Sequence, residues 1–158
     1  MADKDIVEKD TYFVAVKLFL ERSGKLFIFK DKFGQWDLPG GRIKKHEFST
    51  PLHDVIARKM SEEVGDDLQY EVEARPEVLM RHERVEHAPG SPTVRIFAVG
   101  YRARWVSGEP QLSEAHTEMM WVDPANFKPE EYFTGGWLAG VKEYLSLRKG
   151  DSVETTSF

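Results

Sequence analysis

Residues Trp36 to Gly65 read WDLPGGRIKKHEFSTPLHDVIARKMSEEVG, and the parsing of this stretch decides the fold. Pro39-Gly40-Gly41 interrupts any regular element and marks a loop. Thr50 suits a helix cap, with Pro51 at the first helical position, where a missing N–H does no harm. The helix then runs to about Val64 and stops at Gly65. With successive residues about 100° apart and Leu52 at zero, Leu52, Val55, Ile56, Met60 and Val64 define an apolar arc centred near about 30°. Glu63, at about 20°, and Lys59, at about 340°, fall inside that arc, while Glu62 lies at its edge at about 280°. A charge on the inner face of a core helix is costly unless it is paired or bound to metal. Two readings follow: an i,i+4 ion pair between Lys59 and Glu63, or an acidic site that the helix aims inward.

The second reading has a chemistry. A hard divalent cation takes oxygen ligands and commonly joins a few carboxylates to substrate phosphates. Glu62 and Glu63 supply adjacent carboxylates, the glycine loop supplies carbonyls, and Arg42 or Lys44 can meet phosphate oxygens. An isolated Glu-Glu pair is more often a solvated face.

Outward from the helix, Val14, Val16, Leu18 and Leu20 alternate along a strand, Ser23-Gly24 marks a turn, and Lys25 to Lys30 is a second short strand. Strand-like runs follow near 70–81 and 93–105, with Met119 to Val122 a further strand ended by Asp123-Pro124. Between the first two, His82 to Pro92 is rich in charge, Pro and Gly and is expected to be a mobile loop; His82 and His87 fall in it. Trp137 to Arg148 is a closing amphipathic helix with Leu138, Val141, Tyr144 and Leu145 inward. Residues 11–148 form one domain between polar tails at 1–10 and 149–158. Several strands with one central and one terminal helix predict an α+β fold, helices packed on a mixed sheet.

The segment resembles the signature of the Nudix hydrolase family, G-x5-E-x7-R-E-U-x-E-E-x-G-U with U apolar. Gly41 and Glu47 match G-x5-E, and Arg58, Met60, Glu62, Glu63 and Gly65 match R-x-U-x-E-E-x-G. Trp-Asp-Leu-Pro-Gly-Gly resembles the family's usual lead-in, and the likeness in element order extends over residues 11–148. There are three departures. Ten residues separate Glu47 from Arg58 where the family has seven. Lys59 stands where the family has its first helix glutamate, and Asp66 replaces the last apolar position.

The resemblance implies an α/β/α sandwich and metal-dependent hydrolysis of a nucleoside diphosphate linked to another group, with Mg2+ or Mn2+ as cofactor. It implies metal ligation by Glu62, Glu63, Gly41 and Glu47, with Arg58 orienting a glutamate rather than touching substrate. The loop before the Trp121 strand is where relatives often supply a further carboxylate; Glu109, Glu114, His116 and Glu118 lie there, and Glu118 is the candidate base. Arg42 is a candidate phosphate contact, and Phe13, Phe33 and Trp36 are candidates for stacking on a base. Lys59 supports an alternative, a catalytically impaired Nudix-fold protein that binds a nucleotide as sensor or regulator.

Composition limits the partners. At 158 residues the chain is long enough to bury a core, and 41% hydrophobic with 31% charged residues is ordinary for a globular protein. A net charge of -5, with no basic stripe interleaved with aromatics, argues against general nucleic-acid binding. No apolar run is long enough to span a membrane, and residues 1–10 lack the apolar core of a signal peptide. The absence of cysteine excludes disulfides and suits a reducing cytoplasm. The expected partner is a small nucleotide derivative, in a cytoplasmic protein that can pair as a homodimer.

Overall fold

The computed structural model describes residues 8–86, 88–90 and 92–156, with side chains described as far as residue 150. Among the described residues, and apart from short 3-10 turns, the elements in chain order are eight strands and two α-helices: β1 (Phe13–Arg22), β2 (Lys25–Asp31), β3 (Trp36–Asp37), β4 (Gly40–Arg42), α1 (Leu52–Val64), β5 (Gln69–Val72), β6 (Val78–Val85), β7 (Thr93–Ser107), β8 (His116–Val122) and α2 (Gly135–Thr156).

All eight strands join one mixed sheet. Its path runs β3-β2-β1-β7-β5, with β4 on β1, β6 on β7 and β8 on β2. The β1–β7 pair is parallel, from Phe13 opposite Ile96 to Glu21 opposite Arg104, and every other pair is antiparallel.

Strand β1 explains the layering. A strand covered on one face alternates, whereas one covered on both reads as a continuous apolar run. Ala15 and Phe19 pack into the layer under α2 with Trp137, Val141 and Tyr144. Val16, Leu18 and Leu20 pack into the layer under α1 with Val55, Ile56, Met60 and Val64. β2 does the same, with Leu26 and Ile28 on one side and Phe27 and Phe29 on the other. The sheet therefore lies between the two helices, the expected α/β/α arrangement.

The structure corrects five local expectations, the first being that Gly40 and Gly41, expected in a loop, open strand β4. α1 begins at Leu52 with Pro51 as its cap residue and no side-chain cap, so Thr50 does not cap it. His82 to Val85 belong to β6 rather than to a loop, while His87 lies outside the described residues. β8 starts at His116, three residues before the expected strand. α2 continues to Thr156, so most of 149–158 is helical rather than a frayed tail. Residues 1–7 of the expected N-terminal tail lie outside the described residues. Among the described residues no helix is long and apolar enough to cross a membrane.

Candidate functional site

The site forms where β4 crosses the C-terminal end of α1. Gly40 and Gly41 pair with Lys17 and Val16 of β1, and a side chain at Gly40 would meet backbone, one at Gly41 the end of a lysine. A Cβ on Gly40, whose φ is 142°, would lie 2.0 Å from the Val16 carbonyl oxygen. A Cβ on Gly41 would lie 2.4 Å from Cε of Lys59. This close approach lets the Gly40 N–H donate to Oε1 of Glu63 at 2.8 Å, tying the glycine loop to the helix end.

The last turn of a helix leaves carbonyls without intrahelical partners. Here the segment before β8 supplies them: the N–H of Gln111 donates to the Val64 carbonyl and that of Ser113 to the Glu63 carbonyl. This capping delivers His116 to the site. Its ring stacks on Phe29 with centroids 3.7 Å apart, and its Nε2 lies 3.6 Å from Oε2 of Glu63. Burial pushes the His116 imidazole below its ordinary pKa. Glu63 is almost entirely buried, and burial pushes its carboxyl up to about 7, against the opposing pull of Lys17, the Gly40 N–H and Lys59.

Arg58 connects the loop to the helix. Its Nε and Nη2 each donate to a different oxygen of Glu47 at 2.7 Å, and Nη1 donates to Glu62 at 3.1 Å. These hydrogen bonds, Arg58 first and then the Lys44 N–H, hold the Glu47 carboxyl down at about 2. Glu47 reaches Arg58 despite the three additional residues, because the chain turns at Lys45–Glu47 and carries Phe48 out into solvent. Lys59 donates to Oε2 of Glu62 at 3.2 Å. Its partner is thus Glu62 rather than Glu63, whose own oxygens face Gly40 and His116. Burial raises the Glu62 pKa, but hydrogen bonds from Arg58 and Lys59 outweigh it, and the net shift is downward.

These groups open onto a cleft of about 580 Å3. Lys17, Lys32, Arg42, Lys44, Arg58, Lys59 and Arg84 line it, against the carboxylates of Asp31, Asp37, Glu62, Glu63 and Glu86. Cations therefore outnumber carboxylates at the cleft, in a chain of net charge -5.

The structure gathers Gly41, Arg42, Arg58, Glu62 and Glu63 at this cleft. It does not bring every candidate there. Glu47 is turned to Arg58 and Lys44 and does not line the cleft. Glu118 is exposed and 3.9 Å from Nζ of Lys30, because a register shift in the β2–β8 pairing, between Lys30 and Asp31, breaks the alternation that would otherwise leave His116 and Glu118 on one face. Phe13 lies under the Arg42 guanidinium, 5.0 Å from it, and Arg42 itself pairs with Glu86 at 2.6 Å. Trp36 packs edge-on against Tyr132 and lines a neighbouring cleft. Phe33 does line the site.

Two residues escape a reading of the sequence. Lys17 is buried in the middle of β1, where its ammonium meets Asp37 at 2.8 Å and the Leu38 carbonyl at 3.2 Å. A single lysine interrupting the apolar run Val14 to Leu20 is the signal that marks it. Asp37 sits beside the glycine loop as that lysine's partner and carries no signal beyond its neighbours.

A glycine loop bonded to the acidic end of the helix that follows it, inside an α/β/α sandwich, defines a class. The fold is that of a MutT NUDIX hydrolase from Burkholderia pseudomallei, with TM-score 0.59 and 23% identity over 84% of this chain and 99% of that one. An ADP-ribose pyrophosphatase from Streptococcus suis gives TM-score 0.61 at 16% identity, covering 87% of this chain and 92% of that one. A NUDIX hydrolase from Nitrosomonas europaea gives 0.68 at 16% identity, covering 90% and 75%. No curated protein matches the chain in sequence. The NUDIX domain model matches residues 11–138, and the chain belongs to that family.

Proposed function

We propose that this protein is a pyrophosphohydrolase that cleaves a nucleoside diphosphate linked to another moiety, with Mg2+ or Mn2+. The carrying observation is the cleft itself, where a surplus of lysine and arginine surrounds Glu62 and Glu63 beside the glycine backbone. Cations there suit phosphate oxygens, and the two carboxylates suit a hard metal ion.

The donors fit one such ion. Mg2+ is commonly held by one or two carboxylates, with substrate phosphates completing its shell. Glu62 and Glu63 fill that role, with the Gly41 carbonyl as a further oxygen. Among the described residues no third acidic or histidine side chain joins them in a cage, so ligand phosphates supply the rest. When bound, the ion supplies charge neutralisation on the phosphates and a lowered pKa for water.

The chain's residues do the positioning. Arg58 holds Glu47 and Glu62 together, fixing the glycine loop against the helix. Arg42, Lys44 and Lys17 offer charge to the phosphates. In the reaction water adds to phosphorus, a phosphoanhydride P–O bond breaks, and the proton of water passes to a base. His116, buried at the cleft with Nε2 3.6 Å from Glu63, is the candidate base; Glu118, in its exposed pair with Lys30, is less suitable.

The Lys59–Glu62 pair favours a second reading. An ammonium already occupies one of the two acidic ligands, as expected of a nucleotide-binding protein that turns over slowly or not at all. A screen of nucleoside diphosphate derivatives with Mg2+ or Mn2+, read by phosphate-containing products, decides between them. Turnover that falls at least about tenfold in Glu62→Gln supports the hydrolase. Calorimetric binding without turnover for every compound supports the silent binder. We also read the protein as cytoplasmic and able to form a homodimer, which sedimentation at micromolar concentration checks.

A further inference from the structure

A second cleft, about 520 Å3, adjoins the first and shares Asp31, Asp37, Arg84 and Trp137 with it. Its charge is of the opposite kind. Lys30 and Arg84 face Asp31, Asp37, Glu83 and Glu131 there, so carboxylates outnumber cations. Its remaining wall includes Trp36, Tyr132 and the amide of Gln35.

Arg84 stands at the junction. Alternation along β6 sends Val78 and Met80 into the core and continues through His82 to Arg84, opposite Val94 of β7. Three arginines line the first cleft. Arg58 is engaged by Glu47 and Arg42 by Glu86, but Arg84 has no carboxylate partner among the described residues. Its Nε–H is shielded from solvent and meets no acceptor. A buried unpaired donor is costly, and native structures rarely leave one without a reason. Turning the guanidinium fork onto an anion at the junction relieves that cost and gives the planar, bidentate contact that arginine makes with phosphate.

We propose that Arg84 is a substrate-phosphate ligand marking the boundary between two subsites, the diphosphate lying in the cationic cleft and an amino-bearing nucleobase in the acidic one. The acidic cleft repels a further phosphate or carboxylate. Its carboxylates and amide accept hydrogen bonds from ring N–H and exocyclic amino groups, and Trp36 and Tyr132 offer aromatic surface to a ring. The assignment rests on the diphosphate reading above and goes further by naming the ligand class and the residue that orients it.

Calorimetry in the presence of Mg2+ tests both halves. Inorganic pyrophosphate binds wild type, Arg84→Gln weakens it by about tenfold, and Arg84→Lys loses less, since a point charge replaces part of the fork. Thermal melts check that the variants fold. Unchanged pyrophosphate affinity in Arg84→Gln overturns the assignment of Arg84 alone. No pyrophosphate binding by wild type overturns the diphosphate reading and this inference with it. ADP or GDP, each with an exocyclic amine that IDP lacks, binds about tenfold more tightly than IDP, and that preference shrinks in the double variant Glu83→Gln, Glu131→Gln. IDP binding as tightly as both, or a preference unaffected by the double variant, overturns the acidic subsite.

Discussion

Arg58 grips Glu47 with both arms of its fork, Nε to one carboxylate oxygen and Nη2 to the other, each at 2.7 Å. Eleven positions separate the two residues, and the contact bridges the loop after the glycines to the middle of α1.

Lysine cannot reproduce a fork, so Arg58→Lys leaves Glu47 with a single point charge. A carboxylate whose folded pKa is depressed adds stability above its unfolded pKa and loses it as pH falls toward the folded one. For Glu47 that window runs from about 4.5 down to about 2. Acid titration followed by circular dichroism will place the unfolding midpoint of Arg58→Lys at higher pH than that of wild type. Identical midpoints would show that the fork contributes nothing.

Gly40→Ala should be among the most damaging small substitutions in the chain. The added Cβ meets the Val16 carbonyl oxygen at 2.0 Å, a backbone atom that cannot step aside, and φ of 142° adds strain on the order of 1–3 kcal/mol. Gly34→Ala is the control, because its positive φ of 86° is strained but nothing lies within 4 Å. Thermal melts should show a far larger loss for Gly40→Ala. Equal losses would mean that the close approach of β4 to β1 is not rigid.

Lys59→Glu removes the ammonium from Glu62 and adds a carboxylate beside it. Mn2+ affinity measured by calorimetry should rise by about tenfold, equivalent to about 1.4 kcal/mol, a modest figure because both partners are partly exposed. Tighter metal binding without turnover would favour the silent binder. Weaker binding would mean that Lys59 organises the acidic pair rather than competing for it.

Glu63 gives a pH dependence of the opposite sign to Glu47. Its folded pKa of about 7 lies above the ordinary 4.5, so the metal-free folded state binds a proton that the unfolded chain releases, and stability falls as pH rises between those values. Glu63→Gln removes this dependence. Melting temperatures of the metal-free proteins from pH 5 to 7.5 should decline more steeply for wild type than for the variant; parallel curves would refute the assigned shift.

Much of the site was legible because α1 carries a strict period. Leu52, Val55, Ile56, Met60 and Val64 fix the inward face, and Glu63 lies on it as the geometry requires. The partner of Lys59 was not legible. Angle alone favours Glu63, but the side chain runs over Gly41 and ends at Glu62, while the Gly40 N–H and His116 take Glu63. Those competitors come from distant segments, which no helical projection contains.

The end of β6 was hidden for a reason connected to the clefts. Its inward residues change from Val78 and Met80 to His82 and Arg84 where the strand leaves the core and begins to line open space. Polar residues on both faces erase the alternation by which a strand is recognised, so local rules fail where the chain serves a site. Lys17 is the converse case, a buried charge inside a strand apolar enough to be recognised without it.

The arm of Lys59 laid across Gly41 couples the two positions sterically. While a long side chain occupies position 59, a methyl group at position 41 must displace its flexible end; once a shorter residue stands there, the ceiling over the glycine lifts. Gly41→Ala in the wild-type chain thereby pushes the Lys59 ammonium from its place beside Glu62, whereas the same change beside a shorter residue at 59 displaces nothing.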